Sequence, residues 1–173
     1  RLVSRNPKKI NANDELFAAD LTNKSQVNEA VKNSDVVYLT AGLKYNLKVW
    51  QKEWPLIIDN VIAACLQHKA KFIFFDNVYA YGKVNGKMTE ETPYNPCSKK
   101  GEVRMQIANR IMDETKKGNL NAPIVRAADF YGPYAAQSFM TVMVFENLAK
   151  GKAAQWMITD SAKHTFTFTT DGA

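Results

Sequence analysis

Apolar and polar positions fall into two alternating kinds of block. Short β-branched or aromatic runs occur at Leu2-Val3-Ser4, at 15–19, at 35–41 (DVVYLTA), at 71–75 (KFIFF), at 122–127, at 155–158 and at 165–169, and each predicts a strand. Between them, apolar residues recur every third or fourth position. Thr22-Asn23-Lys24-Ser25 opens a helix through about Val31, with Asn23 or Ser25 as its cap. A second helix over 50–67 carries Trp54, Ile57, Ile58, Val61, Ile62, Cys65 and Leu66 at helical spacing. A third over 100–117 aligns Val103, Ile107 and Ile111 and stops at Gly118, and a fourth over 138–150 stops before Gly151.

Strands alternating with helices at this spacing imply crossover units. They predict an α/β protein with a doubly wound parallel sheet covered on both faces. Such sheets bind ligands beyond the carboxyl ends of their strands. The residues placed there are Ser4-Arg5, Asp20-Leu21, Thr40-Ala41-Gly42, 76–82 and 128–133. The eight glycines contain no G-x-G-x-x-G turn, and the chain starts inside a strand. The expectation is therefore a sheet lacking its first strand-turn-helix, and a C-terminal lobe lacking most of its length. Residues 1–133 are assigned to the sheet domain, and 134–173 to the start of a substrate lobe interleaved with the last strands.

Composition narrows the class. The 173 residues suffice for one core, and the 46% apolar and 23% charged fractions are ordinary for a soluble protein. The longest apolar runs, 61–65 and 72–75, are too short to span a membrane, and the N-terminus has no signal-peptide core. Cys65 and Cys97 lie far apart with no metal-like spacing, which implies a reducing compartment, the cytoplasm, and no metal. The net charge of +6 raises the question of a nucleic-acid partner. The lysines, however, are dispersed as pairs (Lys8-Lys9, Lys99-Lys100, Lys116-Lys117) and read as a solvated surface. No Ser-His-Asp order and no phosphate-cradling loop occurs.

Each candidate site has a functional and a bland reading. After the second strand of a dinucleotide fold, an acidic residue takes a ribose hydroxyl, whereas a basic one accommodates a 2′-phosphate. Ser4-Arg5 thus points to NADP (or NAD), against a surface arginine in an Arg-Asn-Pro turn. Asp20-Leu21 can meet an adenine amino group, or simply start a helix. Thr40, Ala41 and Gly42 let a flat ring approach the backbone, or make a tight turn. In DNVYAYG at 76–82, Asn77, Tyr79 and Tyr81 bring polar groups to a strand end, while the rings also suit packing. Lys100 and Arg104, in NPCSKKGEVR, share one helix face at i and i+4. Their mutual repulsion would make the lysine a usable proton donor or base, and a basic helix start is the plain alternative. His164 heads HTFTFTT and reads as a ligand contact or a surface histidine.

Taken in order, DNVYAYG, KKGEVR, RAADFYGP at 126–133 and HTFTFTTDGA at 164–173 resemble the extended short-chain dehydrogenase/reductase family, and more narrowly its NAD-dependent epimerase/dehydratase group. ADLTN at 19–23 is similar to the group's adenine-site Asp-Leu. The resemblance implies a Rossmann fold holding NAD(P). It also implies a tyrosine that moves a proton while the cofactor moves a hydride, a lysine four residues later on the nicotinamide ribose, and a serine or threonine that polarises the substrate oxygen. This chain departs from all three. Asn77 falls at the serine position, Lys100 at the tyrosine and Arg104 at the lysine. A register using Tyr94 puts Ser98 at the lysine position and Pro96 in the helix start, so the Lys100 register is preferred. Some isoflavone-reductase-like relatives resemble this chain in relying on a lysine.

The expected function is hydride transfer on a small carbonyl or hydroxyl substrate, with sugar derivatives among the candidates. Lys100 is the acid/base, Asn77 the oxygen's donor, Tyr81 a further proton donor and Arg104 the ribose clamp. Ser4, Arg5, Asp20, Leu21, Thr40, Ala41, Gly42 and Ala128 line the cofactor, and Tyr79, Tyr131 and His164 meet the substrate. The alternative is a non-catalytic NADP(H)-binding redox sensor. The 50–67 and 100–117 helices resemble the pair through which the family dimerises.

Overall fold

The structure, a computed structural model, describes residues 1–156, 159, 161 and 163–172. It divides into two compact units, Arg1–Val125 and Arg126–Ala173, whereas the sequence reading draws its boundary after Pro133.

In the first unit β1 (Leu2–Ser4) pairs in parallel with β2 (Leu16–Ala18), in the register Val3 to Phe17. Helix α1 (Lys24–Val31) starts where predicted, because the Asn23 side chain accepts from the backbone N–H groups of Ser25 and Gln26. Then follow β3 (Val36–Leu39), α2 (Leu47–His68), β4 (Lys71–Asn77), α3 (Lys99–Lys116) and β5 (Ile124–Ala127). The second sheet has the order β3-β4-β5, and β3 is parallel to β4 with Tyr38 opposite Ile73. The parallel, helix-connected architecture is the predicted one, in two separately bonded pieces.

The core lies between β4 and helices α2 and α3. Trp54, Ile57, Ile58, Ile62, Phe72, Phe74 and Ile111 are almost wholly buried. Each such side chain contributes roughly 1.5–3 kcal/mol of transfer free energy. Strand alternation places Phe72, Phe74 and Asp76 on one face of β4, so a carboxylate continues a row of buried aromatics. On α3 the buried residues include Val103, Arg104, Ile107, Ala108 and Ile111, so a guanidinium joins an apolar stripe.

Some elements differ from expectation. Helix α2 begins at Leu47 because Asn46 caps it, its side chain accepting from the Val49 N–H, and exposed Pro55 is accommodated within the helix. The strand expected at 35–41 belongs to a sheet expected to be covered on both faces, yet Val36 is 39% and Tyr38 67% exposed. The strand from 122 begins only at Ile124.

In the second unit β6 (Asp129–Tyr131), not predicted as a separate strand, pairs in parallel with β7 (Phe166–Phe168). The helix expected over 138–150 is π-helical at Met140–Phe145 and ends in one α turn, α4 (Glu146–Ala149). Of the strand expected at 155–158, Gln155 and Trp156 adopt none. Met157 and Ile158 lie outside the described residues.

Candidate functional site

Parallel pairing puts the carboxyl ends of β1 and β2 at one end of their sheet, and those of β3 and β4 at one end of theirs. Between β1 and β3 lies a cleft of about 1030 Å³. Its walls are Leu2, Val3 and Ser4 of β1 and Val36 to Leu39 of β3. Val27 and Val31 of α1 and Ile57 and Val61 of α2 also line it. The exposure of Val36 and Tyr38 follows, since this edge of β3 borders the cleft. The order of strands reverses across it: β1 leads outward to β2, whereas β3 leads the other way to β4 and β5. Doubly wound sheets hold ligands beyond the carboxyl ends of the strands at such a switch point, which here is the rim carrying Ser4-Arg5, Asp20-Leu21 and Thr40 to Gly42.

Arg5, Asp20, Leu21, Thr40, Ala41 and Gly42 all line this cleft with Ser4, so the structure brings most of the sequence-derived cofactor set together, whereas Arg104 and Ala128 do not line it. Asp20 accepts from the backbone N–H of Thr22 at 2.8 Å and from its hydroxyl at 2.7 Å. These two bonds, with Arg5 adding, hold the carboxyl below its ordinary value. The Leu21 carbonyl accepts from Asn60 at 3.0 Å, which ties the β2–α1 turn to α2. At Gly42 an added Cβ would meet nothing within 4 Å, so this rim is open to a flat group.

A second cluster is built on the start of α3. Ser98 caps the helix, accepting from the Gly101 N–H at 3.0 Å, and Lys99 pairs with Glu102 at 2.9 Å. Lys100 is half-buried, and its Nζ lies 3.2 Å from the centre of the Tyr45 ring and 5.8 Å from that of Trp50. Arg104, one turn on, was expected at a ribose. Instead its guanidinium is buried against Trp54 and Trp50, 4.1 and 4.8 Å from their ring centres. Its Nη1 lies 3.2 Å from Oδ1 of Asp76, with side-chain exposures of 8% and 0%. Burial pushes the guanidinium below its ordinary pKa, and Asp76 pulls it back. The repulsion expected between Lys100 and Arg104 is thus offset by a carboxylate. Sequence reasoning gave no site role to Asp76, Tyr45, Trp50 or Trp54. For Asp76 a signal existed in its alternation with Phe72 and Phe74, and for Arg104 in its spacing to Ala108 and Ile111.

The turn after β4 supports α3 from beside. Asn77 is half-buried, and its Oδ1 accepts from the Tyr79 N–H at 3.0 Å, so the carbonyl is spent on the turn and the amide nitrogen is the group it can offer a ligand. The Tyr79 ring stacks on Trp50 at 6.3 Å and 19°. Tyr81, a further proton donor in the sequence reading, is 6% exposed, with its ring 5.5 Å from that of Tyr94. Gly101 is needed because an added Cβ would come 2.6 Å from the Tyr79 carbonyl oxygen.

In the second unit, Ala128 is half-buried between β5 and β6. Tyr131 packs its ring 5.4 Å from Phe168 and 6.4 Å from Phe166. His164 is exposed, paired with Asp129 Oδ2 at 2.9 Å and lying 4.5 Å from the Phe166 ring.

Solved structures share this fold. A dTDP-glucose 4,6-dehydratase from Streptomyces venezuelae, with NAD and TYD bound, is 16% identical at a TM-score of 0.78, over 91% of this chain and 51% of that one. A UDP-glucuronic acid 4-epimerase from Bacillus cereus, in complex with UDP-glucuronic acid and NAD, is 19% identical at 0.79, over 94% and 54%. A UDP-glucose 4-epimerase from Thermus thermophilus in complex with NAD is 16% identical at 0.73, over 92% and 58%. The chain therefore spans about half the length of these proteins, and identities this low speak for the fold alone. No curated protein sequence matches. The model of the NAD-dependent epimerase/dehydratase family matches residues 1–173 from end to end, and the chain belongs to that family.

Proposed function

We propose that this chain is part of an NADP-preferring enzyme that moves a hydride to and from a small, sugar-like carbonyl or hydroxyl substrate, with Lys100 as its acid/base. One observation carries the assignment. Of the two cations in the tyrosine and lysine positions, Arg104 is buried on Asp76, whereas the Lys100 ammonium ends half-buried on an exposed tyrosine ring. This contrast supports Lys100, rather than Arg104, as the group that exchanges the proton.

The open rim at Gly42 and the cationic Arg5 at the cleft's carboxyl end fit a phosphorylated dinucleotide. Ser4 and Arg5 would hold its 2′-phosphate, Asp20 and Leu21 its adenine, and Thr40, Ala41 and Gly42 its ribose and ring. When bound, NADP supplies the site that accepts and returns the hydride. Lys100 holds the proton that accompanies it: Nζ gives a proton to the substrate's carbonyl oxygen in reduction, and takes one from the hydroxyl in oxidation. The Asn77 amide, neutral and unable to titrate, orients that oxygen by donation. Arg104, expected at the ribose, braces the helix that carries Lys100. The substrate contacts remain assigned to Tyr79, Tyr131 and His164, with Tyr81 as an auxiliary donor. The body of the cleft, between the facing edges of β1 and β3, suits one further parallel strand and its glycine turn in the 3-2-1-4-5-6 order of dinucleotide folds, and the cofactor would lie at the rim beyond the strand ends.

No helix among the described residues is long and apolar enough to cross a membrane. Both cysteines are free thiols, which supports the cytoplasm as the place of action. Helices α2 and α3, which pack on each other, are the proposed dimer face.

The test is hydride exchange by the full-length protein with NADPH or NADP⁺ and a panel of nucleotide sugars, ketones and aldehydes. Turnover that falls at least about a hundredfold in Lys100→Met, in line with typical general acid–base contributions, supports the reading. The rival, a redox sensor, shares the cleft and needs no proton donor. Tight NADPH binding with no turnover of any substrate, and no effect of Lys100→Met on binding, would favour it.

A further inference from the structure

The contact between Lys100 and Tyr45 belongs to no motif that suggested the function. Tyr45 lies in the short connection between β3 and α2, at the carboxyl end of β3 and just beyond Gly42, which lines the cleft. It is 67% exposed. Its position is nevertheless defined, because its ring meets Trp50 edge-on at 5.7 Å and 87°. Trp50 is itself fixed twice: its Nε1 donates to the Lys44 carbonyl at 3.1 Å, and its ring stacks on Tyr79. The Lys100 ammonium, 3.2 Å from the Tyr45 ring centre, lies where the negative face of the ring attracts a cation. The neighbouring cation in the register, Arg104, uses Trp50 and Trp54 in the same way. One aromatic row, Tyr45-Trp50-Trp54, thus carries both cations.

We infer that Tyr45 is a positioning residue for Lys100: its ring face holds the ammonium against the β3–α2 connection, just after the cleft-lining residues Thr40 to Leu43, instead of letting it swing into solvent on a four-carbon stem. This rests on the acid/base reading of Lys100, and it adds what holds that group. A lysine at a tyrosine's place has two more rotatable bonds, and an exposed ring that collects its head group restores the order those bonds remove. The attraction comes from the ring face and not from the hydroxyl. Phenylalanine should therefore substitute, whereas leucine, of similar bulk without a π face, should not.

Two measurements on the full-length protein test this. The first is labelling of lysines by trinitrobenzenesulfonate, read site by site through peptide mass spectrometry, with Lys44 and Lys48 as internal references. In Tyr45→Leu the Lys100 rate rises roughly two- to fivefold, the range expected when an exposed cation–π attraction is removed, whereas Tyr45→Phe keeps the native rate. An unchanged Lys100 rate in Tyr45→Leu overturns the proposal, as does an equal rise in the phenylalanine variant. The second is turnover. Tyr45→Leu lowers kcat with KM unchanged, Tyr45→Phe rescues it, and adding Tyr45→Leu to Lys100→Met costs nothing more. A further loss in that double variant overturns the positioning role, because Tyr45 would then act without Lys100. If labelling responds as stated while Lys100→Met turns over normally, the contact stands and the acid/base reading of Lys100 fails.

Discussion

Arg104 sits where a charge is expensive unless it is matched. Its side chain and that of Asp76 are 8% and 0% exposed, at 3.2 Å, within a wall of Trp50, Trp54 and Phe74. Desolvating two charges costs several kcal/mol each, and their attraction repays it only while both are present. Removing one partner should therefore hurt far more than removing both. Asp76→Ala is expected to lower stability by roughly 3–5 kcal/mol, while the double variant Asp76→Leu/Arg104→Met recovers most of the loss. Urea unfolding of both variants beside the native protein measures this, and a double variant as weak as the single one would refute the pairing. The pair also shows what was illegible beforehand. Lys100 and Arg104 are four residues apart and read as a unit, but Asp76 reaches Arg104 only through the fold of β4, its turn and α3. Cysteine reactivity is a simpler case. Burial pushes the Cys65 thiol up to about 12, whereas Cys97 is exposed. At neutral pH iodoacetamide should alkylate Cys97 alone, with Cys65 reacting only in denaturant. Labelling of Cys65 in the folded protein would contradict its placement in the core.

Helix α3 is anchored at both ends, and each end makes a prediction. At its start, Gly101 lies against the Tyr79 carbonyl and Pro96, where an added Cβ would come within 2.6 and 2.9 Å. Gly101→Ala should cost about 1–3 kcal/mol by overpacking, visible as a lower urea midpoint, despite alanine's better helix propensity. At its end, Glu114 accepts from Asn119 at 3.0 Å, Lys117 at 3.1 Å and Arg110 at 2.7 Å. These bonds lower its pKa from 4.5 to about 2. A depressed carboxylate pKa stabilises the fold above the unfolded value and ceases to do so as pH falls through the folded one. Glu114 should thus contribute fully above pH 4.5 and lose its contribution between there and about pH 2. In Glu114→Gln the stability–pH curve flattens across that window, which thermal melts at several pH values would show. Elements governed by local chemistry were legible: Asn23 caps α1, and the Val103-Ile107-Ile111 stripe marks α3. Elements governed by partners were not. The run at 35–41 looked buried on both sides because periodicity reports apolarity, and only the assembled unit shows that one edge of β3 borders a cleft. Strand β6 exists through its pairing with β7, far along the chain, as Asp129 and His164 are joined across the same distance.

At the scale of the whole molecule, the most consequential feature is that the strand order reverses at the cleft. Chain reversal brings Arg5, after β1, to the same rim as Asp20 after β2 and Gly42 after β3, three positions that sequence order keeps far apart. That these residues share one rim was legible because a parallel α/β pattern fixes which strand ends lie together, without any distances being known. Cofactor preference should follow from the charge at that rim. An arginine there can make charge-assisted bonds to a 2′-phosphate, each worth about 1.5–3 kcal/mol, whereas an aspartate repels the phosphate and accepts from ribose hydroxyls. Arg5→Asp in the full-length protein should therefore weaken NADPH by about ten- to a hundredfold and leave NADH equal or tighter. Fluorescence titration with both cofactors, at two salt concentrations, separates the cases. A drop in NADPH affinity that shrinks at high salt marks Arg5 as the partner of the phosphate at this rim. If both cofactors weaken alike, Arg5 shapes the turn after β1 and the preference lies elsewhere. If neither changes, the cleft between β1 and β3 does not hold the adenosine end at all, and the placement of Ser4, Arg5 and Asp20 around a cofactor fails with it.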